Sequence, residues 1–168
     1  MLRISLFLLF LFASFLYSFT GVGEGASAVS EVKHVAKPDL CAELFRDMQL
    51  EGKVNYTAFR QAVTGYYRIT QRKRDILTLI DFSKPSTEKR LYVFDMKEKK
   101  MLFSSVVAHG KNSGGVYATS FSNEYGSYKS SLGFYLTAST YQGKNGYSLI
   151  LDGLEKGIND RARERAIV

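Results

Sequence analysis

Val106-Val-Ala-His-Gly-Lys-Asn-Ser-Gly-Gly, Ala118-Thr-Ser-Phe-Ser-Asn, Ser130-Ser-Leu-Gly-Phe-Tyr and Gly143-Lys-Asn-Gly-Tyr-Ser-Leu decide how this chain folds. Short apolar runs alternate there with loops of Gly, Ser, Asn and Lys. Strands of this kind hold loops rigid, and small residues let backbone and short polar groups come close to a ligand. Residues 90–168 therefore read as a β domain that carries a site in its loops.

Working outward, residues 90–96 and 101–108 flank the polar turn Lys97-Glu-Lys-Lys and predict a β-hairpin. Its period of two puts Leu91, Val93 and Asp95 on one face and Tyr92, Phe94 and Met96 on the other. Further strands are expected at 76–82, 132–137 and 147–151, and a short helix at 160–165 capped by Asn159. Ala166-Ile-Val reads as the first half of another strand. Upstream, Asp39 is a plausible N-cap for a helix over 40–50 with Gly52 as terminator. Asn55 can cap a second helix running to Thr70. On it Phe59, Ala62, Val63, Tyr66 and Tyr67 recur at helical spacing, as a face that packs on a sheet or, alternatively, as a cofactor box. Arg68, Arg72, Lys73 and Arg74 follow as a solvated cluster suited to a helix C-terminus, or as a contact for an anionic polymer.

The 168 residues hold 11 Tyr, 12 Phe, no Trp and only 2 Pro, which suits a sheet-rich globular domain. The formal net charge of +7 favours anionic partners: nucleic acid, acidic headgroups or cell-wall polymer. The first 28 residues choose among them. Arg3, the uncharged apolar run over 4–19 and the end Ala26-Ser-Ala have the form of a secretory leader cleaved after Ala28. The run is shorter than the roughly 20 residues of a spanning helix. Expected, then, are a signal peptide at 1–28, a linker at 29–38, a helical hairpin at 39–75 and the β domain at 76–168. The expected location is the cell envelope, with no nucleic-acid partner and no stable membrane insertion after cleavage.

Tests for known chemistry mostly fail. Gly110-Lys-Asn-Ser-Gly lacks the ending of a phosphate loop, and no G-x-S-x-G nucleophile elbow occurs. Ser30-Glu-Val-Lys matches S-x-x-K by chance, with no K-T-G box after it. His34 and His109 are the only histidines, so a metal site built on histidine is not expected, and no motif implies a cofactor. His109, where a strand turns into a Gly-rich loop, faces a substrate or stabilises the loop by a hydrogen bond. Cys41 is the only cysteine and forms no internal disulfide. It shares a helical face with Leu44, Phe45 and Met48, with no basic residue spaced to lower its pKa, and reads as an inert buried thiol.

One resemblance ties the motifs together. Phe94-Asp95, Val107-Ala-His-Gly-Lys-Asn-Ser-Gly, Thr119-Ser-Phe-Ser-Asn, Ser130-Ser-Leu-Gly-Phe-Tyr, Gly143-Lys-Asn-Gly-Tyr-Ser-Leu and Leu151-Asp-Gly-Leu-Glu-Lys-Gly-Ile-Asn resemble the murein L,D-transpeptidase catalytic-domain family, YkuD-like enzymes. The resemblance covers roughly residues 40–168. It implies a mainly β fold preceded by the helical hairpin, α+β overall, export to the periplasm, and acyl transfer on peptidoglycan stem peptides by a cysteine nucleophile. The family's catalytic His-Gly and Ser-x-Gly-Cys are not in these residues; by register the His-Gly falls after Val168. Neither His109-Gly110 nor Cys41 maps onto them. The expectation is an amino-terminal part of the domain, truncated before its catalytic residues and inactive as this chain. Ser131, Tyr135, Tyr141 and Asn145 are its candidate substrate contacts, or else they fill turns and strand faces. The alternative reading is a non-catalytic exported protein that binds peptidoglycan or is structural in the envelope.

Overall fold

A computed structural model describes residues 39–144 and 146–165. The leader and linker expected over 1–38, the Asn145 contact and the half strand at 166–168 lie outside the described residues. Asp39 caps α1 (Leu40–Asp47) as expected, its carboxylate accepting the Cys41 N–H at 3.0 Å. The helix ends earlier than residue 50, and Gly52 is not its terminator. Gln49 takes the left-handed position (φ 53°). The Gln49 N–H donates to Arg46 O at 2.8 Å and the Leu50 N–H to Phe45 O at 3.1 Å. Those are the two bonds of a Schellman close, and the buried Phe45 and Leu50 supply its apolar contact.

Asn55 caps α2 (Tyr56–Arg68), accepting the Ala58 N–H at 3.0 Å. Phe59, Ala62, Val63 and Tyr66 point into the core. Tyr67 does not: one further helical step of about 100° carries it off the face, and it is 48 % exposed. The stripe packs on a three-stranded antiparallel sheet in the order β1 (Ile76–Ile80), β2 (Leu91–Asp95), β3 (Lys100–Ser105). Of the two faces of β2, Tyr92 and Phe94 are the buried side. Phe59 stands edge-on between Phe45 and Phe94, with ring centroids 5.4 Å apart in each case. Full burial of such side chains stabilises by roughly 1.5–3 kcal/mol apiece, so one shared core holds hairpin and sheet together.

The β2–β3 turn is set by Asp95, whose carboxylate accepts the N–H groups of Lys97 and Glu98. Beside it, Lys99 (φ 49°) reaches Asp47 at 2.9 Å and ties the turn to α1. A bulge between Val93 and Phe94 shifts the β2–β3 register. β4 (Tyr135–Gly143) and β5 (Gly146–Gly153) form a separate two-stranded sheet. β1 and β3 stop short of residues 82 and 108, and β4 begins after residue 132. The short helix expected over 160–165 is instead a run of turns. Its intended cap, the Asn159 side chain, is used elsewhere, accepting the Glu155 N–H and donating to Phe134 O. Among the described residues, two helices and five antiparallel strands make the mainly β, α+β fold that the sequence predicts.

Candidate functional site

Between β1 and β2 the chain returns through Arg90, a cation with no exposed surface. Its Nε and Nη2 donate to Val107 O at 3.0 and 2.7 Å, and Nη1 donates to Lys84 O at 3.0 Å. Nη2 also lies 2.8 Å from His109 Nδ1. Arginine has no acceptor, so Nδ1 must present its lone pair. The ring proton then sits on Nε2, 3.3 Å from Gly114 O, to which it donates. Both histidine nitrogens are thereby engaged within the loop, the stabilising role of the two that the sequence leaves open. Phe82 lies under the guanidinium at 5.1 Å and against Phe121 at 5.6 Å. Burial pushes the Arg90 pKa down, while the Asp81 carboxylate opposes that shift. Asp81 is itself buried: Oδ1 accepts the N–H and O–H of Ser83, and Oδ2 has no partner among the described residues.

Serine hydroxyls bind the next loops to each other. Ser113 is fully buried; its Oγ accepts the Ser130 N–H at 2.8 Å, and its carbonyl accepts the N–H groups of Thr119 and Ser120. Ser130 Oγ in turn accepts the Gly110 N–H at 3.0 Å. Gly110 has to be glycine, because a Cβ there would press on the backbone of residues 128–130. Asn112 donates from its backbone to Tyr128 O and from Nδ2 to Ser127 O. Arg165 closes the bundle, its guanidinium donating to Ser122 O, Ser127 Oγ, Lys129 O and Ser131 Oγ.

A second lock joins the chain before β4 to the chain after β5. The Phe134 N–H donates to Glu155 Oε2 at 2.7 Å, and Phe134 O accepts from Leu154 N–H and Asn159 Nδ2. At Gly133 (φ 109°) any side chain would collide with Glu155 and Asn159. The Phe134 ring lies on Gly65 of α2, where a methyl would overlap it. This contact ties the helical hairpin to the loop before β4.

Two of the four candidate substrate contacts come together here. Ser131 is buried, donates to Ser122 O at 2.9 Å and receives Arg165. The Tyr135 hydroxyl donates to Ser131 O at 3.0 Å, and burial pushes its pKa up. Tyr141 stands apart on β4, 38 % exposed, with its ring against Gly143. Cys41 lies on α1, packed against the apolar core. Burial, then Asp39, push its thiol up, with Arg60 and Thr64 acting the other way. A thiol so placed is a poor nucleophile at neutral pH. Among the basic cluster, Arg72 lies over the Tyr66 ring at 4.3 Å and donates to Tyr66 O and Ile69 O, satisfying carbonyls at the end of α2.

Arg90, Asp81, Arg165 and Asn159 are the organising polar groups that sequence reasoning missed. Arg90 opens an alternating strand and Arg165 sits in a segment that reads as an exposed helix, so each resembles an ordinary surface charge. The glycine pattern was the available signal. Gly110 and Gly133 mark the two places where loops cross closely enough to exclude a side chain. The arrangement can present a rigid, polar wall to a ligand. Among the described residues it does not join a thiol to a histidine, and no cluster of three metal-ligating side chains occurs.

No curated protein matches the chain, nor does any solved structure. A family model, that of the L,D-transpeptidase catalytic domain, matches residues 50–168, taking in α2, both sheets and every loop of the wall. The chain belongs to the L,D-transpeptidase catalytic-domain family.

Proposed function

We propose that this chain is an exported protein of peptidoglycan cross-linking or remodelling. In this reading residues 76–165 form the wall against which a stem peptide is held, and none of the 168 residues carries out the acyl transfer. The family's chemistry needs a thiolate to attack the peptide carbonyl, a histidine to take the thiol proton and pass it to the leaving amine, and donors for the oxyanion. An acceptor amine then takes the acyl group from sulfur. The observation that carries the proposal is the fate of the available groups. The one thiol packs against the core on α1 with its pKa raised, and the described histidine spends both nitrogens on Arg90 and Gly114. Export rests on the leader pattern over 1–28. The +7 charge alone would give weak adhesion to an anionic wall, which salt screens.

Co-sedimentation with insoluble peptidoglycan tests the reading. Binding that survives about 0.15 M salt, where screening acts within about 8 Å, is the expected result. Binding abolished by that salt would leave basic adhesion as the whole effect, and no binding at all would refute the reading.

A further inference from the structure

Tyr128 is the residue of the wall whose backbone and side chain disagree. Its φ is 56°, a region that bulky side chains rarely occupy and glycine or asparagine occupy readily. The backbone there is fixed from both sides. Tyr128 O accepts the Asn112 N–H at 3.1 Å, Ser127 O accepts Asn112 Nδ2, and Arg165 grips Ser127 and Lys129. The ring contributes no hydrogen bond to that fixing. It is 62 % exposed, and its hydroxyl has no hydrogen bond among the described residues. Its one neighbour of note is Lys111, whose ammonium lies 4.0 Å from the ring centroid and has no carboxylate partner among the described residues. A glycine would satisfy the backbone better, so packing and conformation do not account for a tyrosine here.

We propose that Tyr128 and Lys111 form a stacking platform for the glycan strand of peptidoglycan, with Tyr125, 77 % exposed on the same loop, extending it. This rests on the peptidoglycan reading above and names a second part of the polymer that the wall grips, beside the stem peptide. The chemistry favours a sugar over a peptide side chain. The surrounding loops are Ser, Asn, Gly and Lys, which offer hydrogen bonds to hydroxyl and acetamido groups. The exposed tyrosines offer flat, weakly polar faces that match the C–H face of a pyranose and keep a polar tip for water. The Lys111 ammonium lies over one face of the Tyr128 ring, so the sugar stacks on the opposite, exposed face.

The test measures binding of the whole chain to insoluble sacculi, to glycan strands stripped of peptides, and to soluble stem peptides. Tyr128→Gly, Tyr128→Phe and Gln49→Gly accompany the unaltered protein. Gln49 is a second left-handed residue, remote from the loops, and controls for the backbone change. Expected are binding to sacculi and stripped strands, a loss of about tenfold for Tyr128→Gly, and near-complete retention for Tyr128→Phe and Gln49→Gly. The melting temperature of Tyr128→Gly should be unchanged or higher, because relief of the left-handed strain opposes the entropy cost of glycine. Undiminished binding by Tyr128→Gly would overturn the inference, as would a lowered melting temperature, which would make the ring a packing group. Sacculus binding without binding to stripped strands overturns it while the peptidoglycan reading stands. No binding to sacculi overturns both.

Discussion

Replacing Arg90 by Met keeps the length of a buried side chain and removes every donor that it carries. Three acceptors lose their partner: Val107 O, Lys84 O and His109 Nδ1. Leaving a buried acceptor unpaired costs roughly 1–3 kcal/mol. Residues 84, 107 and 109 are only partly buried, so water can reach them and the low end applies, giving about 3 kcal/mol together. Against this stands the relief of a desolvated cation that has no carboxylate within ion-pair distance, a burial that already lowers the Arg90 pKa. The net expectation for Arg90→Met is a loss of about 2–3 kcal/mol. Arg90→Ala adds a cavity and should lose about 4 kcal/mol. His109→Ala strips one acceptor only and should lose about 1 kcal/mol. The double substitution should then cost less than the sum of its parts, since both act on one bond. Equilibrium urea unfolding, with the slope checked for constancy, measures all four. An Arg90→Met protein within about 0.5 kcal/mol of the unaltered chain would refute the view that this guanidinium holds the strand-to-loop corner.

Three further outcomes follow from particular contacts. Gly65→Ala should cost about 1–3 kcal/mol by driving a methyl into the Phe134 ring. Phe134→Leu in the same protein should recover part of that loss, as urea midpoints will show. Gln49→Gly should stabilise by roughly 0.5–1 kcal/mol, because glycine takes the left-handed close of α1 without strain. The third outcome concerns acid. Arg163 holds the Asp152 carboxyl below its ordinary value of 3.8, and Asn123 and the Gly157 N–H do the same for Asp160. A carboxyl whose folded pKa is depressed contributes stability that is fully present above its unfolded pKa. That stability is lost as pH falls through the folded value. Melting temperatures between pH 5 and 2 should therefore fall most steeply below about pH 4. In Asp152→Asn that slope should be shallower; an unchanged slope would remove Asp152 from the account.

The local features of the fold were legible, and the reasons are local. Asp39 and Asn55 cap their helices through bonds spanning two and three residues, so short-range chemistry suffices to predict them. The period of two divides β2 into its two faces directly, while which face is buried, that of Tyr92 and Phe94, comes from the structure. The loops resisted because their bonds run far along the chain. Arg165 reaches Ser122, and Asn159 reaches Phe134, across distances that no window of sequence samples. Asn159 shows the consequence, since it has the chemistry of a helix cap and spends it on another element. A serine in a glycine-rich run suggests a ligand contact, and here the Ser131 hydroxyl is met by Ser122 O and Arg165. The family motifs are in large part the residues that lock the loops to one another.

The most direct test of the functional account is the intact mass of the chain after incubation with a stem tetrapeptide donor, with Cys41→Ser alongside. The account predicts no covalent adduct on either protein, while binding to insoluble peptidoglycan persists in both. A stoichiometric acyl adduct on the unaltered chain that disappears in Cys41→Ser would contradict it, and would make the thiol of α1 the nucleophile.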